Sequence, residues 1–75
     1  MAIKISSAHY GWVSRVVRSG EGVVNVEWTL RRDCAKPFRE WSKELELADN
    51  HLKDKGISHD LVREYMPWID REGAI

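Results

Sequence analysis

Cysteine is almost missing from this chain. Cys34 stands alone, so no internal disulfide can form, which suits a reducing compartment. No apolar run approaches the length of a transmembrane helix, and residues 1–10 lack the apolar stretch a secretory signal needs. The expectation is therefore a soluble cytoplasmic protein with no membrane partner. Net charge is also absent: 12 Lys and Arg balance 12 Asp and Glu, whereas a nucleic-acid binder of this size usually carries a clear positive excess. No glycine-rich phosphate loop, strained nucleophile turn or paired-acid arrangement occurs, and His9, Cys34, His51 and His59 include no pair at metal-ligand spacing. These absences point away from an enzyme, a metal and any cofactor. Internal repeats and low-complexity tracts are missing too.

What is present is a pair of β-branched, Trp-containing runs, GWVSRVV and VVNVEWTL, flanking a Ser-Gly-Glu-Gly cluster at residues 19–22. That combination reads as a β-hairpin. A three-residue loop of Gly20, Glu21 and Gly22, with Gly22 at positive φ, pairs Val16 with Val26, Ser14 with Trp28 and Trp12 with Leu30. It also sets Arg15 across from Glu27 on the solvent face, an opposite-charge pair worth about 0.2–1 kcal/mol. A two-residue loop of Gly20 and Glu21 groups Val13, Val17, Val24, Val26 and Trp28 instead, but forces Arg15 beside Val26. The first register is preferred.

The 75 residues make one domain, and a chain this short buries only roughly 60% of its unfolded surface. Self-association is one way to supplement so thin a core. Although the total charge is zero, residues 1–43 hold eight Lys or Arg against four acids, and residues 44–75 hold four against eight. A basic half of this kind can face an anionic partner, and an acidic half repels one.

Residues 2–6 alternate Ile3 and Ile5 with Lys4 and Ser6, a short strand, and residues 8–11 turn the chain. TLRRDCAKP reads as a loop ending at Pro37. Residues 37–55 fit two templates. Phe38, Trp41, Leu45, Ala48 and Leu52 suit an amphipathic helix stopped by Gly56; alternatively residues 38–42 form a strand, Ser42 caps one 3₁₀ turn, and LELA is a last short strand. With Gly56 as a break, residues 50–55 can also make a separate helical turn. Leu61, Tyr65 and Trp68 form one stripe and Val62, Met66 and Ile69 a second, predicting a C-terminal helix over residues 58–71, kinked at Pro67. The expected organisation is a β-rich core over residues 1–47 and a helical segment over residues 48–75.

Taken in order, the short strand, GWVSRVV, the GEG turn, VVNVEW, the polar loop, FREWSKELEL and the terminal helix resemble an SH3-like barrel of the chromo and Tudor type, over roughly residues 8–72. The similarity is one of pattern, carried by VEW at residues 26–28 and EW at residues 40–41. It implies a small α+β fold, an antiparallel barrel or bent sheet of three to five strands with one or two C-terminal helices. It further implies a cage for methylated side chains drawn from Tyr10, Trp12, Trp28 and Trp41.

Trp28, Trp41 and Trp68 are assigned to the core, as a domain this small must bury its large side chains. Trp12, beside Gly11, is the first choice for an exposed aromatic. With Arg15, Arg18, Arg31, Arg32 and Arg39 it makes a basic and aromatic strip, the arginines as carboxylate or anion clamps and Trp12 as apolar anchor. The function expected is non-enzymatic binding to another protein through that strip. The alternatives are a nucleic-acid module using the same strip and a small inhibitor or polyanion mimic acting through Glu44, Glu46, Asp49, Asp54 and Asp60.

Overall fold

The computed structural model describes residues 1–20 and 22–65. Its elements are β1 (Ala2–Ser7), β2 (Gly11–Ser19), β3 (Gly22–Thr29), a 3₁₀ turn at Arg32–Cys34, β4 (Phe38–Arg39), α1 (Lys43–Asp54) and β5 (Asp60–Glu64). The alternating apolar pattern of β1 places this strand at the centre of a five-stranded antiparallel sheet. β5 runs along one edge of β1 from Ala2 to Ser6. The other edge is shared: β2 pairs at Ser6 and Ser7, and β4 at Ala2 and Ile3. β3 lies beyond β2, and among the described residues β3 and β5 are each paired on one side only. The fold is thus α+β, a five-stranded antiparallel sheet with one helix, and the sheet does not close into a barrel.

The hairpin combines both registers. Trp12↔Thr29, Val13↔Trp28, Arg18↔Val23 and Ser19↔Gly22 follow the two-residue connection, whereas Arg15↔Glu27, Val16↔Val26 and Val17↔Asn25 follow the preferred one. Two β-bulges reconcile them, with Ser14 as the extra residue on β2 and Val24 on β3. The cause lies in the valine spacing. Val13 and Val16, three apart, both pack on the core, as do Val23 and Val26, and a regular strand puts such pairs on opposite faces. The expected pairs Ser14 with Trp28 and Trp12 with Leu30 are therefore replaced, and Trp12 turns away from the core face that holds Trp28. The positive φ at the tip belongs to Gly20 (62°) rather than Gly22. At the other end Gly11 is obligatory: its φ is 92°, and a Cβ there would overlap the Thr29 carbonyl oxygen.

Residues 37–55 take one part from each template. Phe38 forms β4 and is buried, while Ser42 caps a full α-helix instead of a 3₁₀ turn. LELA is helical, and residues 50–54 continue α1 rather than starting a separate turn. Leu45, Ala48 and Leu52 line its inner face against Ile3, Ile5, Val13, Val26 and Phe38. Full burial of Ile5, Phe38 and Leu52 contributes roughly 1.5–3 kcal/mol each.

The expected C-terminal helix is corrected at residues 60–64, which form β5, so the segment from residue 48 onward is not uniformly helical. DLVRE satisfies period two as readily as 3.6: Leu61 and Arg63 fall on one face, Val62 and Glu64 on the other. Five-residue pairing with β1 then decides the outcome. The expected kink at Pro67 and core role of Trp68 lie outside the described residues. No helix among the described residues is long and apolar enough to cross a membrane.

Candidate functional site

Cross-strand partners share a face, so the register sorts every candidate side chain. Ala2, Lys4 and Ser6 of β1, Trp12 and Arg15 of β2, Arg39 of β4 and Val62 and Glu64 of β5 lie on the face opposite the helix. At its centre Lys4 is only 3% exposed, and such a buried ammonium needs partners. Its Nζ donates to the Arg32 carbonyl (3.1 Å) and lies 3.2 Å from Glu64 Oε2. Arg32 Nε approaches the same oxygen at 3.3 Å, and its guanidinium sits over the Trp12 ring, 5.3 Å from the centroid. The hydrogen bond from Lys4, helped by Arg32, holds the Glu64 carboxyl below its ordinary value despite partial desolvation.

Of the six strip residues, Trp12 and Arg32 are therefore brought into contact. Arg15 is paired with Glu27 at 3.4 Å and Arg31 with Asp33 at 3.1 Å, both in the open. Arg39 stands opposite Ala2 on β4. Arg18, opposite Val23, falls on the other face of the hairpin from Trp12 and Arg15. The lopsided charge along the chain resolves into contacts between its halves: Lys4 and Arg32 with Glu64, Lys36 with Glu44 at 3.1 Å, and Glu40 with Arg63 at 2.7 Å. The aromatic cage does not assemble, because Trp12 and Trp28 occupy opposite faces. Tyr10 stacks on Trp28 instead, with centroids 5.2 Å apart.

The helix side holds a different arrangement. The Ser42 N–H donates to the Arg39 carbonyl (3.1 Å), closing a turn through Glu40 and Trp41. Trp41 has φ 66° and is the non-glycine residue with positive φ among those described. A type II turn follows, with an indole where glycine or asparagine is preferred. Ser42 leaves the turn no slack: its hydroxyl accepts the Leu45 N–H at 3.2 Å and its carbonyl accepts the Glu46 N–H at 3.1 Å. Trp41 directly precedes the cap, where an apolar residue usually packs on the fourth helical residue. That residue is Glu46, so the indole finds no such partner. Trp41 is 89% exposed, which corrects its assignment to the core.

Beside it, Leu61 on β5 is 47% exposed although its neighbour across the ladder, Ile5, is fully buried. Trp41, Ser42, Leu45, Glu46, Asp49 and Leu61 enclose a hollow of about 340 Å³. A second hollow of about 220 Å³ shares Trp41, Leu45 and Leu61 and reaches Ile3, Glu40 and Arg63, so the two make one apolar groove between the start of α1 and β5. Behind the lining residue Asp49, His59 ties α1 to the segment that leads into β5. Its Nε2 lies 2.6 Å from Asp49 Oδ1 and its Nδ1 2.9 Å from the Ile57 carbonyl, so both ring nitrogens face acceptors. Burial pushes the Asp49 carboxyl up, but hydrogen bonds from His59 and Lys53 together leave it below its ordinary value. Among the described residues no group of three His, Cys, Asp or Glu side chains could hold a metal ion.

Comparison with known proteins finds no matching family model, curated protein or solved structure. The groove must speak for itself. Sequence reasoning gave Trp41 to the core, or by resemblance to a cage with Tyr10, Trp12 and Trp28, and gave Leu61 to a helical stripe. One signal for the groove was nonetheless available: an apolar residue before a Ser cap with Glu at the fourth helical position marks an indole with nowhere local to pack.

Proposed function

We propose that this chain is a non-enzymatic binding module that docks another protein in the groove between α1 and β5, with Trp41 as the anchor. The framework we read is an SH3-like sheet left open at β3 and β5. The observation that carries the proposal is Trp41 itself, a large apolar side chain held almost wholly in solvent by a left-handed backbone. A bulky residue with positive φ costs of order 1–3 kcal/mol, and such strain clusters at binding sites. Tryptophan is also among the residues enriched at interface hot spots. The basic strip supports docking less well, because Arg15, Arg31 and Arg32 already face Glu27, Asp33 and Glu64.

The test compares partner capture by the wild type, Trp41→Ala and Trp12→Ala. Loss with the first and retention with the second is the expected result; unchanged capture by Trp41→Ala removes the groove from consideration. An oligonucleotide titration addresses the nucleic-acid alternative. Binding that falls steeply with salt and with Arg32→Ala would favour the opposite face.

A further inference from the structure

Among the described residues the longer strands β3 and β5 each have an unpaired edge, and the two edges differ. β3 carries a bulge at Val24, a device that spoils the edge for further pairing. β5 pairs with β1 in unbroken register over its whole length, and its outer edge meets no strand among the described residues. A regular, unpaired strand beside an apolar groove is the geometry used for strand addition, in which main-chain hydrogen bonds supply affinity and alternate side chains supply specificity. On the groove side of β5 those alternate positions are Leu61 and Arg63.

Charge then selects the occupant. Glu46 on the groove rim and Asp60, which faces the side of β5 away from the groove, form no ion pair among the described residues, whereas the groove's cation, Arg63, is already bound to Glu40. The β5 edge therefore has an uncompensated carboxylate on each side, Glu46 across the groove and Asp60 on the far face. A second copy of this chain fits badly, since antiparallel self-pairing centred on Val62 would set Asp60 against Glu64 twice.

Resting on the reading of the groove as a docking site, we infer that its occupant is an extended, basic segment of a partner protein. The segment adds to β5 as a further strand and sets an apolar side chain against Trp41 and Leu61.

The probe is the synthetic peptide Lys-Val-Lys-Leu-Lys-Val-Lys, titrated into the full chain and followed by NMR. Its Glu-for-Lys counterpart is the control, and two versions are N-methylated at one or the other alternate set of amides. An added antiparallel strand bonds through every second residue. One methylated peptide should therefore lose about tenfold or more in affinity and the other little. Trp41→Ala should weaken the parent peptide roughly thirtyfold, as for a central aromatic anchor. The acidic peptide should not bind, and Glu46→Gln with Asp60→Asn should reduce binding of the basic one.

Equal binding of both methylated peptides overturns strand addition, and continued dependence on Trp41 would leave the docking groove standing. Indifference to Trp41→Ala takes the groove down as well. Binding of both charge versions, or of neither, overturns the basic occupant. Concentration-dependent dimers lost with Leu61→Lys would assign the edge to a second copy. Peptide binding that appears only in Trp68→Ala would assign it to the chain's own C-terminal segment.

Discussion

Two tryptophans on opposite faces of one small sheet have been given opposite fates. Trp12 lies under the Arg32 guanidinium, beside a buried Lys4 whose charge is met by Glu64. Trp41 lies in solvent, next to apolar side chains it does not cover. The first region is complete in itself: Lys4 and Arg32 share the Glu64 carboxylate, and the ring has a cation. The second is incomplete, and its incompleteness is enforced by backbone geometry rather than by lack of neighbours. Residue type alone separates these cases poorly, and the register and cap around each Trp separate them well.

The largest expected effect breaks the self-sufficient face. Lys4→Glu would bury a carboxylate against Glu64 and should cost at least about 3 kcal/mol or prevent folding, read as loss of a cooperative urea transition. Lys4→Met, which keeps the volume, should be far milder. Next comes the exposed indole: Trp41→Ala should lower partner affinity by about 2 kcal/mol or more while leaving the urea midpoint nearly unchanged. Trp12→Ala should do the reverse, costing about 1–3 kcal/mol of stability through lost packing and the cation contact, with partner affinity kept. A smaller effect sharpens the contrast. Trp41→Gly relieves the left-handed strain and should raise stability by about 0.5–1 kcal/mol even as binding is lost, checked by thermal and urea unfolding.

Acid should act on both regions together. The Asp49 and Glu64 carboxyls sit below their ordinary values of 3.8 and 4.5. A depressed carboxylate stabilises fully above its unfolded value and loses that contribution as pH falls through its native value. Urea midpoints measured downward from about pH 6 should decline on the acid side, and Asp49→Asn with Glu64→Gln should flatten that decline. Smallest of all, Arg15→Ala should change stability by less than about 1 kcal/mol, because its pairing with Glu27 is exposed.

Much of the frame was legible. The hairpin, β1 and the turn after it follow from alternation and glycine placement, and the Arg15 and Glu27 pairing from charge. The helical stripe of Leu45, Ala48 and Leu52 follows from spacing. β5 was not legible, because a five-residue segment with two apolar side chains satisfies both periods and only a partner strand far back in the sequence decides between them. The site was missed for a related reason. Trp41 was expected inside because small domains need large side chains in their cores, but its fate depends on a positive φ that no periodicity reveals.

The paired bulges of the hairpin have a consequence for how this chain can vary. Ser14 and Val24 behave like two dislocations of opposite sign, each shifting the ladder by one step and together restoring it. Deleting either residue alone would remove its own bulge and leave every other pair of the ladder in place, because Val13 and Val16, or Val23 and Val26, then stand two apart and keep the core face on a regular strand. Deleting both would leave a shorter, regular ribbon. Lineages of this protein can therefore lose these two residues independently, each loss straightening its own end of the ribbon and leaving the valines where they are.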